Sequence, residues 1–124
     1  MSTCKLVIIE DEPAIRDMYT LKLQSNGFKV FTANDGLKAI KVIESSKPNL
    51  ILLDLKIPHL PGNEVLKRIR ETAWGKDIKV IILTNISKSE APADLRFLNV
   101  DRYIVKVHHT PSQVLEIVQE VLKS

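Results

Sequence analysis

One stretch constrains the fold of this chain more than any other: Leu50-Ile51-Leu52-Leu53-Asp54-Leu55-Lys56-Ile57-Pro58. Apolar residues run straight into a carboxylate, and a proline ends the segment soon after. A continuous apolar run this short, bounded by breakers, predicts a strand buried on both faces, as inside a parallel sheet. Asp54 then falls where a central strand ends and its loop begins. In open α/β sheets ligands gather beyond the carboxyl ends of the strands, so an acid there is placed for chemistry.

The rest of the chain repeats the pattern. Leu6-Val7-Ile8-Ile9 reads as a second buried strand and runs into Glu10, Asp11 and Glu12. Pro13 suits the first turn of a helix, and Ile15, Met18, Tyr19 and later leucines follow at near-helical spacing to Ser25. Asn26-Gly27 stops it, because glycine enters the left-handed region without steric cost. Phe28 to Ala33 predicts a strand. Asn34 or Asp35 then caps a helix to about Ser46, with Leu37, Ile40 and Ile43 on one face and Pro48 just beyond.

After the Asp54 strand, Pro61-Gly62-Asn63-Glu64 opens a helix that buries Val65, Leu66 and Ile69, and Thr72 to Asp77 forms a loop. Lys79 to Thr84 is a fourth strand with a polar end. Ser87 to Leu98 predicts a weaker helix, starting late or frayed, because Pro92 is tolerated only in a first turn. Arg102 to Val107 is the fifth strand and carries Lys106. Thr110-Pro111-Ser112-Gln113 combines an N-cap threonine, a first-turn proline and a glutamine three residues after the cap. Val114, Leu115, Ile117, Val118, Val121 and Leu122 then give the last helix a wide apolar face.

Strict strand–helix alternation with short loops predicts a parallel sheet covered by helices on both faces. The expected architecture is α/β: a flavodoxin-like, doubly wound, five-stranded parallel sheet of order 2-1-3-4-5 with five helices, residues 1–124 forming one domain. A chain of 124 residues can bury roughly 70% of its unfolded surface. The 18 basic residues are scattered and the net charge is only +3, which predicts no directly bound nucleic acid. The single cysteine, Cys4, excludes a disulfide framework and fits a reducing compartment. No apolar run approaches the roughly 18 residues of a membrane span, and no signal-peptide pattern opens the chain, so a soluble cytoplasmic protein without a membrane partner is expected.

In this topology Glu10, Asp11 and Asp54 converge in one crevice, with Thr84 and Lys106 arriving from the strands beyond Asp54. Carboxylates so gathered repel one another unless a cation joins them, and hard oxygen ligands with retained waters suit Mg²⁺. The lysine ammonium and the threonine hydroxyl complete a site for an incoming phosphoryl group, which Asp54 would attack in line to give an aspartyl phosphate.

Those residues are where the chain resembles a receiver domain of a two-component response regulator, over Lys5 to Lys123. The resemblance rests on Glu10-Asp11 after strand 1, Asp54 after strand 3, Pro58 and Gly62 beyond it, Thr84 after strand 4 and Lys106 after strand 5. It implies that Asp54 is the phosphoacceptor and that Asp11 and Asp54 bind Mg²⁺ directly. The backbone carbonyl of Lys56 would complete the protein ligands, and Glu10 would act through a metal-bound water. Lys106 and Thr84 would hold the phosphoryl oxygens, and Tyr103 matches an aromatic switch position paired with Thr84. The implied donor is a histidine kinase or phosphotransfer protein. The implied output is a downstream protein or a homodimer, met by the fourth helix, fifth strand and last helix. The chain would be a switch rather than a turnover enzyme.

Two positions depart from the pattern. Receivers usually follow the lysine with proline, often through a cis bond; Val107 stands here, and a trans bond is expected because a non-proline cis bond costs about 3 kcal/mol. Thr84 is usually followed by alanine or glycine, and the larger Asn85 is expected to crowd the phosphate and slow phosphorylation or hydrolysis. These departures motivate the alternative of a degenerate receiver that binds proteins independently of phosphorylation. A phosphohydrolase reading is weaker, because Lys56 stands where such enzymes carry a second aspartate. Nucleotide binding is weaker still, with neither a Walker loop nor a Gly-x-Gly-x-x-Gly run after strand 1. Glu12 is expected to be a solvated residue favouring the helix dipole. His108-His109 is expected in a surface loop, since adjacent histidines share no helix face.

Overall fold

The computed structural model describes residues 3–124, so the first two residues of the expected domain lie outside the described residues. Five strands form one parallel sheet: β1 (Lys5–Ile9), β2 (Lys29–Ala33), β3 (Leu50–Leu53), β4 (Lys79–Thr84) and β5 (Arg102–Val105). Their order is β2-β1-β3-β4-β5, as expected. Four α-helices connect or follow them: α1 (Pro13–Gln24), α2 (Gly36–Ser46), α3 (Gly62–Arg70) and α4 (Pro111–Lys123).

Successive strand residues point to opposite faces, and this alternation divides the core in two. Val7, Ile9, Ile51, Leu53, Val80 and Ile82 face one way, against Ala39 and Ile43 of α2 and Val65, Leu66 and Ile69 of α3. Leu6, Ile8, Leu50, Leu52, Ile81 and Leu83 face the other way, against Tyr19 and Leu23 of α1 and Val114, Val118 and Val121 of α4. Both faces of the central strands are covered, which is why their sequences read as unbroken apolar runs.

The helix ends follow local chemistry. Asp35, rather than Asn34, caps α2 by accepting from the Lys38 N–H at 2.8 Å. Gly27 takes φ +92° just after α1. Thr110 and Gln113 form the expected reciprocal pair of cap bonds at α4, at 2.8 and 3.2 Å. The buried faces of α1 and α2 are narrower than helical spacing predicts: Met18 and Leu21 of α1 and Leu37 of α2 are exposed.

Ser87 to Leu98 corrects the expectation of a fifth α-helix. Only two short 3₁₀ turns form there, Lys88–Glu90 and Ala93–Phe97. Pro92 disfavours helical geometry in the residue before it, and Ala91 is accordingly extended at φ −66°, ψ 151°. Proline also lacks the N–H that would continue a helical ladder across it. Leu95 still reaches the core, while Phe97 is 78% exposed. The fifth strand is also shorter than expected, ending at Val105, so that Lys106 opens a 3₁₀ turn, Lys106–His108. The wide apolar face of α4 serves the core: besides its buried valines, the half-buried Leu115, Ile117 and Leu122 pack against the same cluster.

No helix is long and apolar enough to cross a membrane among the described residues.

Candidate functional site

Parallel register builds the site. Ile9 pairs with Leu53, so Glu10 and Asp54, one residue further on, emerge side by side. The Asp54 N–H donates to the Ile9 carbonyl at 3.1 Å, and the Glu10 N–H to the Ala33 carbonyl at 3.1 Å. Thr84 pairs with Val105, which delivers Lys106 to the same edge from the other side.

Carboxylate oxygens of Glu10, Asp11 and Asp54 lie within 4.8 Å of one another. Glu10 and Asp54 are buried and Asp11 is exposed. The Lys106 ammonium donates to Asp54 Oδ2 at 2.8 Å and also to Glu10 Oε1. Each acid is further oriented by backbone: Asp54 Oδ1 accepts from the Lys56 N–H at 3.2 Å, and Glu10 Oε2 from the Glu12 N–H at 3.1 Å. Thr84 is buried at 1% exposure, and its hydroxyl oxygen accepts from the Ile86 N–H at 3.4 Å. Glu10, Asp11, Asp54, Lys56, Thr84 and Lys106 therefore line one crevice, joined by Glu12, Ile15, Asn85 and Ile86. Tyr103 does not line it. Its hydroxyl donates to the Ile86 carbonyl at 2.7 Å, bracing the turn that follows Thr84.

Gly62 shows how closely the chain packs beneath Asp54. A Cβ at this residue would lie 2.3 Å from the Asp54 carbonyl oxygen and 2.8 Å from Leu55 Cα.

The model of the response regulator receiver domain family matches residues 6–119. The chain belongs to that family. It is 34% identical over 103 residues to the response regulator MprA of Mycobacterium ulcerans, covering 82% of this chain and 43% of that protein. It is 32% identical over 119 residues to the probable transcriptional regulator ycf27 of Porphyridium aerugineum, covering 96% and 48%. The chain thus spans less than half the length of these relatives. Among solved structures, the chemotaxis response regulator CheY4 of Vibrio cholerae superposes with a TM-score of 0.88 at 26% identity, covering 97% of this chain and 99% of that one. Family membership places the chain among the receiver domains of two-component systems.

The electrostatics of this receiver crevice follow from its burial. Desolvation raises Glu10 above the usual glutamate value, against the opposing pull of the Lys106 hydrogen bond and the Glu12 N–H. Burial alone would lower Lys106, but its hydrogen bonds to Asp54 and Glu10 outweigh that and lift it above the ordinary lysine range. Lys106 is thus held as a cation. Burial, then the negative charge of Asp54, raises the Tyr103 phenol.

Among the described residues no peptide bond is cis, so Lys106–Val107 is trans as expected. Lys106 reaches Asp54 without a proline after it. Glu12 is the exposed N-cap residue of α1. The histidine pair falls in the 3₁₀ turn and the loop after it, outside the acidic cluster. One contributor escaped sequence reasoning: Arg16 of α1 donates to the Glu10 carbonyl at 2.9 Å. Nothing local signals this; it depends on how the first turn of α1 sits over the end of β1.

Proposed function

We propose that this receiver accepts a phosphoryl group on Asp54 from a histidine kinase or phosphotransfer protein. Residues 1–124 act as one receiver domain in this reading, in the cytoplasm. The observation that carries it is the grouping of three carboxylates at neighbouring strand ends, two of them, Glu10 and Asp54, on the Lys106 ammonium. A partly buried acid cluster with fewer cations than anions favours a further cation, and its all-oxygen donor set suits Mg²⁺. Asp11 and Asp54 would hold the ion directly with the backbone carbonyl of Lys56, and Glu10 would hold it through a water. When bound, Mg²⁺ offsets the negative charge of the incoming phosphoryl oxygens.

The chain's own residues supply the rest. An Asp54 carboxylate oxygen forms a bond to phosphorus as the P–N bond to the donor imidazole breaks, and the imidazole nitrogen keeps that electron pair. Lys106, already on Asp54, turns to a phosphoryl oxygen, and the Thr84 hydroxyl donates to another. Phosphorylation adds about two negative charges. It draws Thr84 inward and loads the turn that Tyr103 braces. The change is read on the face made by the 3₁₀ turns, β5 and α4, by a downstream protein or a second copy. The direct reach of Lys106 to Asp54 despite Val107 favours this over a phosphorylation-independent scaffold.

NMR during a titration with beryllofluoride and Mg²⁺ tests the proposal. The expected result is saturable shifts at Thr84 and Tyr103; a spectrum unchanged at both residues would overturn it.

A further inference from the structure

Two residues left unused by the proposed chemistry meet at the crevice. Asn85 follows Thr84 and Val107 follows Lys106, and the Val107 N–H donates to Asn85 Oδ1 at 3.2 Å. The bond links the turn after β4 to the turn after β5. Only the oxygen end of a carboxamide accepts from an N–H, so this contact decides which way round the amide lies. The Nδ2 end is then directed away from Val107 with two N–H donors. Among the described residues those donors have no protein acceptor. Asn85 nonetheless lines the same crevice as Glu10, Asp54, Thr84 and Lys106.

A loop staple alone would need only the oxygen of Asn85. Asn85 is exposed, so these donors face solvent, and at a crevice proposed to take an anion they are free to exchange water for it. Each N–H···O⁻ contact is charge-assisted and stronger than a neutral hydrogen bond.

We infer that Asn85 is an anion-contacting residue: its Nδ2 donates to an oxygen of the phosphoryl group on Asp54, and the Val107 N–H holds the carboxamide in that orientation. The inference rests on the phosphoacceptor reading above. It assigns opposite ends of one side chain to two tasks, so substitutions can separate them. Asn85→Ala removes both. Asn85→Asp keeps an oxygen for Val107 but replaces the donors with a negative charge. Val107→Pro leaves the amide intact and removes its guide.

Beryllofluoride affinity, measured by calorimetry on the full chain at saturating Mg²⁺, gives the test. Mg²⁺ affinity without beryllofluoride and urea midpoints serve as controls on site integrity. Asn85→Ala is expected to weaken beryllofluoride about tenfold, the order expected of one charge-assisted hydrogen bond, while Mg²⁺ affinity stays within twofold. Asn85→Asp is expected to weaken it further, and Val107→Pro to weaken it less than Asn85→Ala. If the wild type binds beryllofluoride and Asn85→Ala binds it equally well, Asn85 is only a staple and the inference fails alone. If the wild type takes up none, the phosphoacceptor reading fails and this inference with it.

Discussion

The crevice has two walls, built differently. On the wall formed by the ends of β1 and β3, main chain holds main chain: Asp54 N–H to Ile9, Glu10 N–H to Ala33, and Gly62 N–H to Leu55 at 2.9 Å. The loop after β3 is also tied to α2, by the Gly36 N–H to the Pro58 carbonyl at 3.1 Å. On the wall formed by the ends of β4 and β5, the bonds that tie the turn after β4 to β5 and its own turn run through side chains. Tyr103 reaches Ile86, Asn85 reaches Val107, and the Thr84 hydroxyl takes the Ile86 N–H. Short 3₁₀ turns follow both strands on this side. In the proposed switch the walls would then do different work: the acidic wall would keep its oxygens in place, and the opposite wall has the contacts that a new charge on Asp54 would redistribute.

Lys106 spans both walls, so removing it should have the largest effect. Lys106→Met leaves two buried acids without their cation, and breaking a buried pair costs about 3 kcal/mol. Urea denaturation should show this loss, and added Mg²⁺ should recover part of it. No recovery would mean that the acids do not form a cation site.

Gly62→Ala attacks the acidic wall alone. The new Cβ meets main-chain atoms that cannot rotate aside, and overpacking of this kind costs about 2 kcal/mol. Mg²⁺ affinity should fall with it, because the Asp54 loop must move. Tyr103→Phe attacks the other wall, removing one hydrogen bond for about 1 kcal/mol. It should leave Mg²⁺ affinity unchanged while reducing the beryllofluoride-dependent shift at Thr84. If Tyr103→Phe impaired Mg²⁺ binding as much as Gly62→Ala, the two walls would not be distinct.

The smallest effect belongs to Asp35, beside the acidic wall. Its carboxyl lies below the usual aspartate value of 3.8, first through the Lys38 N–H and further through His59, 3.4 Å away, and Lys38. A carboxyl lowered on folding stabilises above its unfolded value, and that stabilisation is lost as pH falls through the folded one. Asn can still cap, so Asp35→Asn should be less stable than wild type near neutrality. The two should converge below pH 3.8, as urea midpoints across that range will show.

Much of this was legible in the sequence where one signal dominates. Leu50 to Leu53 and Leu6 to Ile9 could hardly be misread, because strands covered on both faces leave no polar positions to confuse the pattern. Once their order was inferred, Glu10, Asp11, Asp54, Thr84 and Lys106 had to share an edge, and they do. Ser87 to Leu98 was misread because its apolar spacing suggested a helix while Pro92 and the extended Ala91 ruled one out. Exposure was harder: helical spacing does not tell Leu21, which faces solvent, from Leu23, which is buried. Contacts across long separations left no trace at all. The Arg70 guanidinium of α3 takes the carbonyls of Leu98 and Asn99, and only the folded chain brings those together.

Intact mass after incubation with acetyl phosphate and Mg²⁺ tests the central claim most directly, with a kinase donor as the control for a slow small-molecule reaction. One phosphoryl mass should appear on the wild type and none on Asp54→Ala. Equal labelling of both proteins, or of neither with either donor, would contradict the assignment of Asp54 as the acceptor.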